Sequence, residues 1–313
     1  MKTWGVLKVK LPRRGHSGIE TPSKRPLWYF HPNGDRSGAV ILRALMAHAY
    51  AFANEREFMG ICKTGGKADR VRECLHGLGL SGVLNVSCPP NFNRSLYLEE
   101  KSYGEKLNFA PREELRYELM TLQWLSHIKS LRHKGSRTTG EGNTYEKFPS
   151  GTSESGSRHI YQNVVVHVRH GDVSPCSKYK YDRYLPNSYY LQLLDQHPLL
   201  RNATLGTVTI FSESRTMEPF DDFTARGYKM SLDTNLSDVW RAFASADLMI
   251  ASRSTFSYSP AMFNDGIVIL PPIETNKFYN QFPHIIYQNW SQEELQSMYN
   301  QTDRLAEVYC QGV

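Results

Sequence analysis

The run Val164-Val165-Val166-His167-Val168-Arg169-His170-Gly171-Asp172-Val173 decides how the second half of this chain is read. Its β-branched residues predict a strand, since a branched Cβ fits the pleated surface of a sheet. That strand delivers His167 and Arg169 to its carboxyl end, where Gly171-Asp172 turns the chain away. In an open α/β sheet the ligand crevice lies outside the carboxyl ends of the strands. A guanidinium fixed there presents a planar, permanently charged fork that matches a phosphate. Burying it is costly unless an anion meets it. That anion is either an external ligand or the chain's own Asp172, three residues on. These residues alone leave both readings open.

Working outward, strands and helices alternate with short connections. Asn163–Val168 reads as a strand, Asn187–Gln196 as a helix, and Thr207–Phe211 as a strand ending in Ser212-Glu213-Ser214. Tyr228–Ser231 is a further strand candidate. Leu236–Ala246 follows as a helix, Leu248–Ala251 as a strand, Thr255–Asn264 as a helix and Ile267–Leu270 as a strand running into Pro271-Pro272. Such alternation predicts an α/β fold with a mostly parallel sheet covered on both faces. A last helix opens at Ser291-Gln292-Glu293-Glu294, a capping-box pattern, and is expected to end near Leu305.

The first half holds another α/β unit. Trp28-Tyr29-Phe30-His31 is a short strand, and Asn33-Gly34-Asp35-Arg36-Ser37-Gly38 is a loop. Ala39–Ala53 carries Ile41, Leu42, Leu45, Met46, Ala49 and Phe52 at helical spacing. The loop is either a seat for a phosphate or polar sugar, or a plain turn between strand and helix. A helix is expected from Pro111 to about Lys134, on a stripe of Leu115, Leu119, Leu122, Ile128 and Leu131. Gly135 to Arg158, rich in Gly, Ser, Thr and Glu, has little to bury and reads as a disordered linker or surface loop.

Composition sets bounds on function. The chain has 313 residues, a net charge of +6, and no basic block interleaved with aromatics of the kind that tracks nucleic acid. A positive excess spread this thinly suits an anionic small ligand, and the basic start over residues 1–25 reads as a solvated terminus. Five cysteines (Cys62, Cys74, Cys88, Cys176, Cys310) lack zinc-site spacing and leave any disulfide pairing undetermined. No apolar run is long enough to span a membrane, and the first 25 residues lack the apolar core of a signal peptide. Against that stand N-x-S/T sequons at Asn85, Asn93, Asn202, Asn235, Asn289 and Asn300, which matter only in a secretory lumen. The two signals conflict: a Golgi or other lumenal location is suspected, and the cytoplasm stays open.

Polar residues gather at three strand ends of the second half: Arg169 with Asp172, Ser212 with Glu213, and Ser252 through Thr255. Convergence at one sheet edge is what a ligand pocket requires. Ser254 or Thr255 either caps the following helix or helps its free N–H groups hold an anion. Taken with Arg169, the pattern favours a diphosphate between a guanidinium and a helix start.

These residues carry a resemblance. His167-Val168-Arg169-His170-Gly171-Asp172 resembles the H-x-R-R-G-D motif of fucosyltransferases, especially the α-1,2-fucosyltransferases. In the same order, Ser188-Tyr189-Tyr190 is similar to that family's Tyr-Tyr step and Phe211-Ser212-Glu213 to its F-S-D-D. Asp238 through Ala246 is similar to the helix before its N-S-S-F-S-W-W-G-A segment, which Ser254-Thr255-Phe256-Ser257-Tyr258 echoes. Pro271-Pro272 falls where the family also has proline. In the first half only the glycine-containing loop at 33–38 corresponds.

The resemblance implies two Rossmann-like domains of the GT-B type: an acceptor-side domain over 26–134, a nucleotide-sugar domain over 159–285, and a C-terminal helix over 286–313. It implies inverting transfer of fucose from GDP-fucose to a glycan or glycoprotein hydroxyl, with no metal and no cofactor; the chain has no D-x-D metal motif. Carried over, Arg169 neutralises the leaving diphosphate and His167 shapes the pocket. Ser254 with Thr255 holds phosphate oxygens, and Ser212 with Glu213 lines the nucleotide cleft. Asn33, Gly34 and Arg36 are further donor-side candidates. For the base that takes the acceptor's proton the candidates are Asp35 and Asp172, the latter also read as a brace for Arg169. The chain departs from the family at His170, where a second arginine is expected, and at Arg253, which stands for an asparagine and could restore that cation. Tyr258-Ser259-Pro260 replaces the Trp-Trp-Gly step. Another nucleotide sugar, or a non-catalytic relative that binds glycan or nucleotide, are the competing readings.

Overall fold

The structure, a computed structural model, describes residues 26–30, 37–63, 66–89, 92, 117–138, 159–271, 282–288 and 290–311. In the first half β1 (Leu27–Phe30) is followed by α1 (Ser37–Ala53), β2 (Phe58–Cys62) and α2 (Gly66–Gly77). β1 and β2 pair in parallel, and a bridge from Ile61 to Val86 extends the sheet by one contact. A short 3₁₀ turn at Tyr117–Leu119 leads to α3 (Leu122–Thr138). This helix runs four residues past the Lys134 expected as its end, because Gly135 costs a helix only about 1 kcal/mol and does not stop it. The proposed linker therefore starts as helix, and residues 139–158, like the basic stretch 1–25, lie outside the described residues.

The second half builds β3 (Ile160–His167), α4 (Lys180–Arg183), α5 (Asn187–Gln196), β4 (Thr204–Ser212) and α6 (Asp221–Ala225). It continues through β5 (Lys229–Leu232), α7 (Leu236–Ser245), β6 (Leu248–Ile250), α8 (Thr255–Ala261), β7 (Ile267–Leu270), β8 (Ile285–Tyr287) and α9 (Gln292–Tyr309). Six strands form one sheet in the order β5-β4-β3-β6-β7-β8, every neighbouring pair parallel. The chain winds outward from β3 through β4 to β5, then returns to the other side of β3 and winds outward again from β6. Renumbered within the sheet this is the 3-2-1-4-5-6 order of the doubly wound fold, whose switch point falls between β3 and β6.

The strands alternate their side chains between two packed layers, as a period of two demands. Val164, Val166, Leu248, Ile250 and Ile269 face α5 and α9, meeting Tyr190, Leu194 and Met298. Val165, Met249 and Val268 face the other way onto α7 and α8, meeting Trp240, Phe243 and Phe263. That second cluster does not stop at the sheet's own helices. It continues without a break into Ile41 and Leu45 of α1 and Val71 and Leu75 of α2. A side chain as fully buried as Phe243 contributes roughly 2–3 kcal/mol, so this shared cluster contributes to holding the halves together. The halves meet where α1 crosses α8 and α2 packs on α7.

Two disulfides link Cys62 to Cys88 and Cys176 to Cys310, and Cys74 is a buried thiol on α2. Among the described residues no helix is long and apolar enough to cross a membrane.

Candidate functional site

The switch point is an open cavity of about 590 Å³ at the carboxyl ends of β3, β4, β5 and β6. That size is ordinary for a small-molecule site. Its sheet-side wall includes His167, Arg169, Asp172, Ser212, Glu213 and Ser254, so the three polar strand ends read from the sequence do converge.

Arg169 sits just beyond β3 with its fork divided. Nη1 donates to Ser254 Oγ at 3.1 Å, across the switch point, and Nη2 donates to Asp172 Oδ2 at 3.1 Å. Of the two anions considered above, the internal one is in place: Asp172 braces the guanidinium. The brace does not withdraw it, for Arg169 still lines the cavity with 14% of its side chain exposed. The turn that permits this needs Gly171, whose φ of 91° suits glycine alone, and a Cβ there would collide with the Glu213 carboxylate.

His167, the last residue of β3, is buried against Phe243 and Phe256, and its Nδ1 hydrogen-bonds Ser252 Oγ at 2.8 Å. Burial, with the Arg169 charge beside it, lowers its pKa to about 3, so the ring is neutral and shapes the pocket as an uncharged group. Ser254 is the N-cap of α8, accepting from Phe256 N–H at 3.2 Å while it also accepts from Arg169. The capping reading is thus correct, and the same oxygen anchors the arginine. Thr255 follows as the first residue of α8, on the cavity wall. Among the described residues, Ser212 Oγ has no hydrogen-bond partner and is buried at the end of β4.

Two expected donor-binding side chains face elsewhere. His170 lies at the cavity edge, but its ring is stacked between Tyr184 and Phe220, and Nδ1 hydrogen-bonds Thr216 Oγ1 at 2.9 Å. Burial lowers its pKa to about 4, so it brings no charge in place of an arginine. Beside it Glu218 accepts from Tyr184 Oη and from the Asn187 N–H at 3.1 Å, locking the loop after β4 onto the start of α5. Arg253 also turns away: Nη1 donates to the Tyr181 carbonyl and the guanidinium lies 5.8 Å from the Trp290 ring centre. Its neighbour Ser254 takes the inward position at the helix start, which sends Arg253 to the outer side. Asn33, Gly34, Asp35 and Arg36 lie outside the described residues.

On the opposite wall, Ser37 and Gly38 belong to the loop weighed as a phosphate seat, while the α2 residues were not anticipated. Ser37, Gly38 and Val40 of α1 and Lys67, Arg70 and Val71 of α2 close the cavity from the first half. Gly38 packs so tightly on α8 that a Cβ there would lie 2.6 Å from Phe256 Cα. The sequence signal for α2 was available: the short apolar run Phe58–Cys62, then glycines, then Ala68, Val71 and Leu75 at helical spacing. Asp233 and Thr234, after β5, complete the rim, with Asp233 Oδ1 accepting from the Ser214 N–H at 3.0 Å.

No protein-family model matches the chain, and no curated protein does either. Among solved structures the E. coli heptosyltransferase WaaC with ADP is similar in outline. The match is 14% identical over 91% of this chain and 99% of that one, with a TM-score of 0.41. A superposition that loose lends no weight to any functional reading, which rests on the site.

Proposed function

We propose that this protein is a glycosyltransferase that takes a nucleoside-diphosphate sugar at the switch point and transfers the sugar to a hydroxyl of a glycan or glycoprotein. One observation carries the reading: Arg169, braced by Asp172 and Ser254, stands over the crevice between β3 and β6. A doubly wound sheet binds nucleotides at that crevice. A preorganised guanidinium stabilises the charge that grows on a departing diphosphate. GDP-fucose is the first candidate donor, on the likeness of residues 167–172 to the fucosyltransferase motif. GT-B organisation and inversion at the anomeric carbon belong to the same reading.

In the reaction the acceptor oxygen bonds to the anomeric carbon while the bond from that carbon to the β-phosphoryl oxygen breaks. The electron pair leaves with the phosphate, whose added negative charge faces Arg169. The acceptor's proton passes to a carboxylate. Asp172 is engaged as the brace of Arg169, which leaves Asp35 as the candidate base. Neutral His167 and the unpartnered hydroxyl of Ser212 offer uncharged hydrogen-bonding to the nucleotide.

Calorimetric titration with GDP, UDP and GDP-fucose, followed by a transfer assay over an acceptor panel, tests the assignment. GDP preference with fucose transfer supports it in full, and UDP preference keeps the enzyme class while changing the donor. Nucleotide binding without transfer points to a binding protein. Failure to bind any nucleotide overturns the reading.

A further inference from the structure

The charges around the cavity are unevenly placed. On the sheet side, among the described residues, Arg169 is accompanied by three carboxylates, Asp172, Glu213 and Asp233. One of them is already paired with the guanidinium. The two residues that could have added a cation there do not: His170 is neutral between two aromatic rings, and Arg253 points to Tyr181 and Trp290. A diphosphate entering this site meets a wall whose own carboxylates outnumber its cation. The first-half wall is the reverse. Among the described residues its charged members are Lys67 and Arg70, both exposed and three residues apart on one face of α2.

The placement of those cations runs against local helix preference. Lys67 sits in the first turn of α2, where the helix dipole favours anions and disfavours cations, and Arg70 follows one turn on. The other end of α2 is fixed by polar contacts to α7, with Glu73 accepting from the Leu236 N–H at 2.8 Å and His76 hydrogen-bonding Ser237 Oγ at 3.0 Å. The helix is therefore pinned at one end and presents its cationic end to the cavity.

We propose that Lys67 and Arg70 bind the donor's diphosphate from across the cleft, supplying the positive charge that the sheet side lacks. The diphosphate then bridges the halves, with Arg169 on one side and the α2 cations on the other. This rests on the nucleotide-sugar reading above and adds which residues grip the phosphates. It also extends the first half's part in the donor site, expected only from the loop at 33–38, to α2.

The test compares the wild type with Lys67→Gln, Arg70→Gln and the double variant by calorimetry. The probes are GDP, UDP, ADP and the parent nucleoside of whichever diphosphate the wild type prefers. Both side chains are exposed, so the fold is expected to survive, and an unchanged circular dichroism spectrum and melting temperature check this. The double variant is expected to lose about tenfold or more in diphosphate affinity, with nucleoside affinity unchanged and a shallower dependence of binding on salt. Arg169→Ala serves as the reference that loses diphosphate binding from the sheet side. If the wild type and double variant bind diphosphate equally while Arg169→Ala does not, the proposal falls and the nucleotide-sugar reading stands. A raised KM for the acceptor with donor affinity intact also overturns it, placing the cations in the acceptor site. A wild type that binds none of the diphosphates removes both.

Discussion

Replacing Gly38 by alanine probes whether the contact between α1 and α8 sets the shape of the cavity. The added methyl would lie 2.6 Å from Phe256 Cα, 2.7 Å from Phe256 N and 2.9 Å from Thr255 C, all backbone atoms that no rotamer change can move. Ordinary contact begins near 3.4 Å, so one helix must retreat from the other by about 0.8 Å. Overpacking of this kind costs about 1–3 kcal/mol, against which alanine in a helix returns up to about 1 kcal/mol. The net loss is about 1–2 kcal/mol, a drop of roughly 1.5–3 °C in melting temperature for a chain of 313 residues. Because Gly38, Thr255 and Phe256 all line the cavity, nucleoside diphosphate affinity is expected to fall as well. Thermal unfolding followed by circular dichroism, with calorimetry beside it, reads both effects. Gly66→Ala is the matched control, since a Cβ at Gly66 meets nothing within 4 Å. If Gly38→Ala melts with the wild type and binds as well, the close crossing does not constrain the site and the reasoning fails.

Two other outcomes are expected. Arg169→Ala should weaken nucleoside diphosphate binding by roughly 10- to 150-fold, the value of a charge-assisted hydrogen bond of about 1.5–3 kcal/mol. Arg169→Lys should recover little of it, because a single ammonium cannot hold Ser254 and Asp172 together; wild-type affinity in the lysine variant would refute the role given to the fork. Stability should decline as pH falls from about 6.5 toward 4. Burial lowers His48 and His170 to about 4 and His167 to about 3, so between those values and 6.5 the unfolded chain binds protons that the folded one does not. Each contributes about 2 kcal/mol of lost stability at pH 5, while Glu218, raised by burial, offsets part of the sum in the opposite direction. A urea midpoint that is flat from pH 7 to pH 5 would contradict this.

The central strands of the second half were legible because a parallel sheet buried on both faces writes them as unbroken apolar runs, as in Val164–Val166 and Ile267–Leu270. The place of Arg169 followed from that, since the end of a strand is fixed once the strand is. The aim of neighbouring side chains did not follow. Arg253 turns outward because the Tyr181 carbonyl and Trp290 ring happen to lie there, and His170 is withdrawn by Tyr184 and Phe220. Those contacts join residues far apart in sequence. Lys67 and Arg70 stayed hidden for another reason: on an amphipathic helix a cation on the polar face looks like a solvated one until the opposite wall of a cavity is known. Cysteine pairing was equally closed to the sequence, being decided by tertiary approach.

The bond between Cys176 and Cys310 has a consequence beyond local rigidity. It joins the segment just after the Arg169 turn to the C-cap of α9, and the loop so closed contains α4 through α9 and every strand of the large sheet except β3. A protease that severs any surface connection within that ring releases no fragment until the bridge is reduced. Reduction of that one bridge would therefore turn a nicked but intact molecule into separable pieces.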